Sequence, residues 1–184
     1  MGINLTKGQR VAVGLQKVGV GLGWDPSDAS GVEFDLDASA FMLNARGKLV
    51  SDRHFIFYNN KLSPDGAVVG ADDDRTGGNS DGDDETIFVD LTKVTSDVQE
   101  ILFAVTIHEH DVRRQNFGQV RNSFIRIYDA NSGEEHAKYE LGEDFSIESA
   151  VEFGRLYRRD GGWKFEALGR GHPGGLQKLV DKYA

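Results

Sequence analysis

The sequence predicts an all-β protein, a two-sheet β-sandwich with one short C-terminal helix. Apolar residues fall in short runs or alternate with polar ones, and the runs are rich in Val, Ile, Phe and Tyr. Gly, Asn, Asp and Ser separate the runs at close intervals, which is the punctuation of strands and turns. The intervening segments are too short for the helices that a parallel α/β sheet needs. Regularly spaced strands of this kind pair into sheets packed face to face.

The predicted strands, in order, cover residues 10–15, 17–22, 32–43, 54–58, 86–91, 101–108, 123–129, 136–141, 150–157 and 163–168. The last two are joined by Arg158-Arg159-Asp160-Gly161-Gly162, whose Asp-Gly pair supplies the positive φ angles of a tight hairpin. After Pro173-Gly174-Gly175, the apolar residues Leu176, Leu179, Val180 and Tyr183 recur at i, i+3, i+4 and i+7, so a helix docks one face on the body. A short turn of helix is expected around 94–99. At 184 residues the chain is expected to form a single domain, 1–184, that buries a substantial core without staples.

Charge is distributed unevenly. Residues 72–85 hold seven carboxylates and one Arg, a net of −6, and residues 25–37 hold five carboxylates with no Lys or Arg, a net of −5. The whole chain carries −9, so the remainder is +2. Acidity this local marks a site rather than a solubility device. At ~5 Å separation two carboxylates repel by ~3 kcal/mol at an effective dielectric of ~20, so such a cluster requires full solvation or a cation. Irregular, oxygen-only surroundings suit the six to eight ligands of calcium better than the strict octahedron of magnesium. Gly77, Gly78 and Gly82 let the loop backbone curl so that carbonyls also face an ion. No register matches an EF-hand.

Within 32–43, strand alternation sends Phe34, Leu36, Ala38 and Ala40 to one face and Asp35, Asp37 and Ser39 to the other. Asp is depleted in strands, so two on one face point to metal binding rather than to a merely solvated face. Val18-Gly19-Val20-Gly21-Leu22-Gly23-Trp24-Asp25 fails as a dinucleotide loop because Trp24 stands where the third Gly belongs, and it is expected to be a glycine-rich strand leading Asp25 to the acidic cluster. His108-Glu109-His110-Asp111 offers two same-face His, too few for a zinc site by itself.

The chain has no Cys, which removes disulfides, thiolate nucleophiles and thiolate zinc sites. It shows no signal-like N-terminus and no run of ~20 apolar residues, so a soluble cytoplasmic protein without membrane insertion is expected. Net acidity argues against nucleic acid as a partner. Arg113-Arg114, Arg121, Arg155 and Arg158-Arg159 are expected to be scattered, solvated surface.

With these segments in place the chain resembles the TerD family of tellurite-resistance and stress-response proteins. The resemblance rests on Leu5-Thr6-Lys7-Gly8, Gly21-Leu22-Gly23-Trp24-Asp25, Phe34-Asp35-Leu36-Asp37-Ala38-Ser39-Ala40, Phe55-Ile56-Phe57-Tyr58-Asn59-Asn60, Asp81-Gly82-Asp83-Asp84-Glu85, Gln115-Asn116-Phe117-Gly118-Gln119-Val120 and Trp163-Lys164-Phe165, in that order. Where the family commonly has Asp-Asn-Arg-Thr-Gly, this chain has Asp73-Asp74-Arg75-Thr76-Gly77. The resemblance implies a cytoplasmic, calcium-binding β-sandwich that works beside related proteins and a membrane protein of the same resistance system. It transfers candidate calcium ligands to Asp25, Asp35, Asp37, Asp73, Asp81, Asp83, Asp84 and Glu85. The expected function is non-enzymatic: bound metal orders an acidic surface for partner recognition in a stress response. Two alternatives are weighed against it. A calcium-dependent membrane-docking module needs apolar or basic loop tips, and 72–85 has neither beyond Arg75; a metal-dependent hydrolase needs a general base distinct from the acids that the ion consumes.

Overall fold

The alternating segments build two six-stranded sheets stacked face to face. The structure, a computed structural model, describes residues 2–25, 36–70, 85–107, 121–141 and 148–184. From edge to edge the first sheet runs β1 (Ile3–Leu5), β10 (Glu135–Glu140), β9 (Arg121–Asp129), β3 (Lys17–Asp25), β7 (Glu85–Asp90) and β6 (Val68–Gly70). The second runs β2 (Arg10–Val13), β12 (Gly162–His172), β11 (Ala150–Arg159), β8 (Glu100–Ile107), β4 (Leu36–Leu43) and β5 (Phe55–Ile56). Neighbouring strands are antiparallel except β1, which joins β10 in parallel.

Side chains of period two from each sheet meet between them. Val18, Val20 and Leu22 of β3 and Ile125 and Ile127 of β9 share one core with Ile101, Phe103 and Val105 of β8 and Val151, Phe153 and Leu156 of β11. The alternate residues of β3 are glycines on the outer face. Gly19 pairs with Tyr128 of β9, and a Cβ there would collide with the Tyr128 ring. The glycine run is thus a strand whose missing side chains make room for an aromatic neighbour, as its failure to match a dinucleotide loop implied.

The second sheet is buried on both faces. Helix α1 (Gly175–Tyr183) lies on its outside and sends Leu179 and Tyr183 into a cluster with Phe41, Leu43, Leu102, Ala104 and Leu168. This explains why β8 reads as an unbroken apolar run, because a strand covered on both sides has no polar face to display. The helix is the one expected from the C-terminal periodicity. Its last carbonyls are satisfied by the chain after β4: Leu49 N–H donates to Tyr183 O at 2.7 Å and Lys48 Nζ to Lys182 O at 2.8 Å.

Beneath the helix Glu152 is fully buried. Tyr183 Oη donates to its Oε1 at 2.5 Å and Lys182 Nζ at 3.0 Å; His172 Nε2 lies 3.2 Å from the same oxygen, and Arg170 Nε lies 3.8 Å from Oε2. A buried charge is tolerated only where it is paired, so the carboxylate locks the helix to β11 and β12. Burial, reinforced by the Glu152 acceptor, raises the Tyr183 phenol well above its ordinary range. Burial lowers His172 below the usual imidazole value.

The β11–β12 hairpin turns at Asp160 and Gly161, with φ of 53° and 77°, as the Asp-Gly pair required. Other expectations are corrected. The strand over 54–58 is confined to Phe55–Ile56, because Asp52–His54 forms a 3-10 turn and Phe57 and Asn60 close a second turn by reciprocal backbone bonds. Of the strand expected over 32–43, residues 32–35 lie outside the described residues. Strands β1 and β6 were not anticipated; three residues at a sheet edge show no periodicity. Around 94–99 the chain closes one turn, Val98 N–H to Thr95 O at 3.0 Å, but no helix, because Gln99 N–H donates to Leu43 O at 2.8 Å instead; Arg158 holds the segment, its Nε donating to Val98 O at 2.8 Å and its Nη2 to Val94 O at 3.0 Å. Arg158 also stacks on Trp163 at 4.6 Å, and Arg155 bridges Glu166 at 2.7 Å and Glu100 at 3.3 Å. These two arginines are therefore structural rather than idle surface.

Removing the Glu152 carboxylate leaves the buried Tyr183 hydroxyl without its acceptor. Glu152→Ala is expected to destabilise the protein by ~3 kcal/mol or more, read as the shift in urea midpoint; an unchanged midpoint would show that the helix is held without it. The lowered His172 value sets a pH dependence. Its folded-state pKa lies below the unfolded 6.5, so its contribution is fully present above pH 6.5 and is lost as the pH falls through the interval down to the folded value. Stability measured from pH 7.5 downward is expected to drop from near 6.5, and His172→Gln is expected to flatten that part of the curve.

Candidate metal centre

Four strand ends converge on one end of the sandwich. β3 runs out at Asp25 while its antiparallel neighbour β7 begins at Glu85, with Leu22 opposite Glu85. β6 ends at Gly70 opposite Ile87 of β7. β4 begins at Leu36, and its Ala38 N–H donates to Glu85 Oε2 at 2.6 Å. The described ends of windows 25–37 and 72–85, namely Asp25, Leu36, Asp37 and Glu85, thus stand at one end of the sandwich.

Glu85 does more than carry charge. Its register with buried Leu22, and its alternation with buried Ile87 and Val89, aim its side chain between the sheets. Strand β5 pairs only with Ala40 and Phe41, so it gives the Ala38 amide no partner, and the Glu85 carboxylate reaches across from the other sheet to accept that bond. A hydrogen bond to a charged acceptor contributes ~1.5–3 kcal/mol. A carboxylate has about four acceptor positions, so this bond leaves capacity for others.

Asp37 sits on the face that strand alternation assigns to it. Leu36 and Ala40 enter the main core, while Asp37 and Ser39 lie on the opposite face, with Asp37 beside Thr106 of β8. That face is not solvated: Asp37 is 7% exposed, Thr106 2% and Ser39 0%. The Ser39 hydroxyl is buried with no hydrogen-bond partner among the described residues. A buried carboxylate with an orphaned hydroxyl two residues along the same face is an oxygen-only donor set, which fits a hard cation such as calcium and not a thiolate-seeking or imidazole-seeking metal.

Asp37, Tyr58, Lys61, Gly70, Glu85 and Thr86 line a cleft of about 30 Å³. A water needs roughly 10–15 Å³ by this measure and organic ligands need some hundreds, so the cleft admits an ion or one or two waters.

Of the eight ligands nominated from sequence, the structure brings Asp37 and Glu85 to one cleft. The backbone of Asp25 closes β3 opposite Arg121, after a bulge between Gly23 and Asp25. Asp35, Asp73, Asp81, Asp83 and Asp84 lie outside the described residues, as does His108-Glu109-His110-Asp111. Among the described residues no three His, Cys, Asp or Glu side chains are grouped closely enough to hold an ion. Sequence reasoning missed Tyr58 and Lys61. Their signal was the Asn59-Asn60 pair: Asn60 Nδ2 donates to Phe55 O at 2.8 Å and to Arg53 O at 3.1 Å, and the turn so closed carries Lys61 into the cleft.

No helix among the described residues is long and apolar enough to cross a membrane. The chain is 48% identical to the tellurium resistance protein TerD of Alcaligenes sp, over 100% of this chain and 97% of that protein. It is 47% identical to general stress protein 16U of Bacillus subtilis (strain 168), with the same coverage. The solved structure of a homologue of telluride resistance protein (TerD) from Streptomyces coelicolor A3(2) superposes with a TM-score of 0.70 at 24% identity, covering 91% of this chain and 96% of that one, so the two share the fold. The family model for the TerD domain matches residues 1–183, and the chain therefore belongs to the TerD family.

Proposed function

We propose that this protein is a calcium-binding, non-enzymatic stress-response protein of the tellurium-resistance type, in which bound metal orders an acidic surface for partner recognition. The observation that carries the reading is the convergence of four strand ends at the Glu85 bond to Ala38, which roots both acidic windows in one place. Asp37 and Glu85 are the rigidly positioned ligands of the proposal. Asp25, Asp35, Asp73, Asp81, Asp83 and Asp84 are the further ligands that the windows contribute. Calcium, when bound, supplies the positive charge that relieves carboxylate repulsion. The names of the relatives from Alcaligenes and Bacillus support the resistance and stress setting. The proposed partners are related TerD-domain proteins and a membrane component of the same system, met in the cytoplasm. Direct capture of tellurite is not part of the proposal, because an oxyanion is repelled by this end and the chain has no thiol.

A ligand present at ~100 times its dissociation constant stabilises the folded state by roughly 2.7 kcal/mol. Chelator is therefore expected to lower the melting temperature and calcium to restore it, while Asp35→Asn with Asp37→Asn removes most of the shift. Identical melting curves with chelator and with saturating calcium would sink the reading. Affinity capture from lysate checks the second half of the proposal. Partner yield with calcium is expected to exceed that with chelator by about five-fold or more, the scale of a coupling of ~1 kcal/mol. Equal yields would leave the ion a structural role only.

A further inference from the structure

We infer that the outer face of the first sheet carries a docking groove for an acidic peptide segment that offers one large apolar side chain. The inference concerns a surface outside the acidic windows and does not rest on the calcium reading. Alternation sends Val68, Ile87 and Val89 into the core, so Val69 of β6 and Phe88 of β7 point outward, and these two are register partners. Leu62 bridges Val69 on its other side, and beyond Phe88 the row continues to Gly19 of β3. Leu62, Val69 and Phe88 are 57%, 40% and 42% exposed. Exposed apolar residues scattered singly need no explanation, but three side by side across neighbouring strands mark a contact surface.

Beside this row lies a groove of about 210 Å³, lined by Val69 and Phe88 with Lys17, Asp90, Lys93 and Ala130. Small-molecule pockets begin at roughly 300 Å³, so this one suits a single inserted side chain. A partner strand has no place here. β6 is bonded to β7 on one side, and on the other Gly70 N–H donates to Lys61 O at 2.8 Å and Ser63 N–H to Val68 O at 3.0 Å. Recognition is therefore by side chains and charge rather than by strand addition. Asp90 is already engaged, its Oδ1 accepting from the Thr92 hydroxyl at 2.5 Å and from Thr92 N–H at 3.0 Å. The Thr92 hydroxyl, with the Lys93 and Lys17 ammonium groups adding to it, holds the Asp90 carboxyl below the usual carboxylate range. Both ammonium groups thus lie within electrostatic reach of one carboxylate, and the lining carries two lysines against one acid on a chain of net −9. An occupant that fills the groove with an apolar side chain and meets the surplus charge has carboxylates beside that side chain. A lipid bilayer or a nucleic acid offers negative charge too, but as an extended surface it is repelled by the whole chain. A short peptide senses the rim alone, because screening acts over about 8 Å.

The test is fluorescence anisotropy of the full chain in chelator, titrated against a short fluorescein-labelled peptide of glutamates around one central phenylalanine. Saturable binding that weakens with added salt is expected. Replacing the phenylalanine of the peptide by serine is expected to lower affinity about ten-fold or more, and Phe88→Ala to do the same. Lys17→Glu with Lys93→Glu is expected to lower it about five-fold or more. All three substituted positions are at the surface, and melting temperatures near wild type check that the variants fold; the peptide series needs no variant at all. Absence of saturable binding, or binding equally strong in both variants, overturns the inference. So does a dimer in sedimentation of the chain alone that Phe88→Ala dissociates, which assigns the row to a second copy. Flotation with phosphatidylserine vesicles that Phe88→Ala abolishes assigns it to a lipid surface and overturns the inference as well.

Discussion

The hydrogen bond from the Ala38 amide to the Glu85 carboxylate is the contact on which this end of the sandwich depends. It lies where the strand ladders run out: β5 is too short to pair with the start of β4, and β6 reaches β7 only as far as Ile87. An unpaired amide facing a carboxylate from the opposite sheet solves two problems together. The amide gains an acceptor, and the carboxylate gains a donor. The two acidic windows adjoin this contact along the chain, while the remainder of the sequence balances to +2.

The opposite solution to buried charge stands under helix α1. Glu152 is surrounded by Lys182, Arg170, His172 and the Tyr183 hydroxyl, so cationic groups there outnumber the acid. Charge at that site is balanced from within, although Glu152 Oε2 has no hydrogen-bond partner among the described residues, and the apolar cluster of Phe41, Leu102, Leu168 and Leu179 beside it adds hydrophobic hold. The cleft at the other end is lined by Asp37 and Glu85, with Lys61 also among its lining residues. One carboxylate fastens the body; the others leave a charge to be met from outside. The proposed function follows from this asymmetry rather than from any single motif.

The chain thereby joins a rigid, doubly covered second sheet to an end whose chemistry depends on its surroundings. This end of the sandwich has Asp37 and Glu85 at strand starts, where the core fixes their backbones. It also places the apolar row Leu62, Val69 and Phe88 on strands that share their ends with the site, so that a partner covering that row would touch both.

Much of this was legible in the sequence because it depends on local periodicity. Alternation in β3 and β4, the Asp160-Gly161 hairpin and the i, i+3, i+4, i+7 stripe of α1 are each decided within about ten residues, and the structure has them where the pattern put them. The placing of Asp37 and Ser39 on the face opposite Leu36 and Ala40 was likewise read from spacing, while Asp35 lies outside the described residues. What lay beyond reach was every relation between distant segments. Nothing local says that Glu85 turns inward to serve Ala38, 47 residues away, or that Gln99 N–H leaves its own segment for Leu43 O while Arg158 binds the carbonyls at Val94 and Val98. Nor does spacing reveal that Asp37 is buried, since that follows from what covers the face and not from the strand that bears it. The sequence by itself determined the elements and the chemistry available; the stacking of two sheets decided which side chains meet, because those distances are set by packing and not by position along the chain.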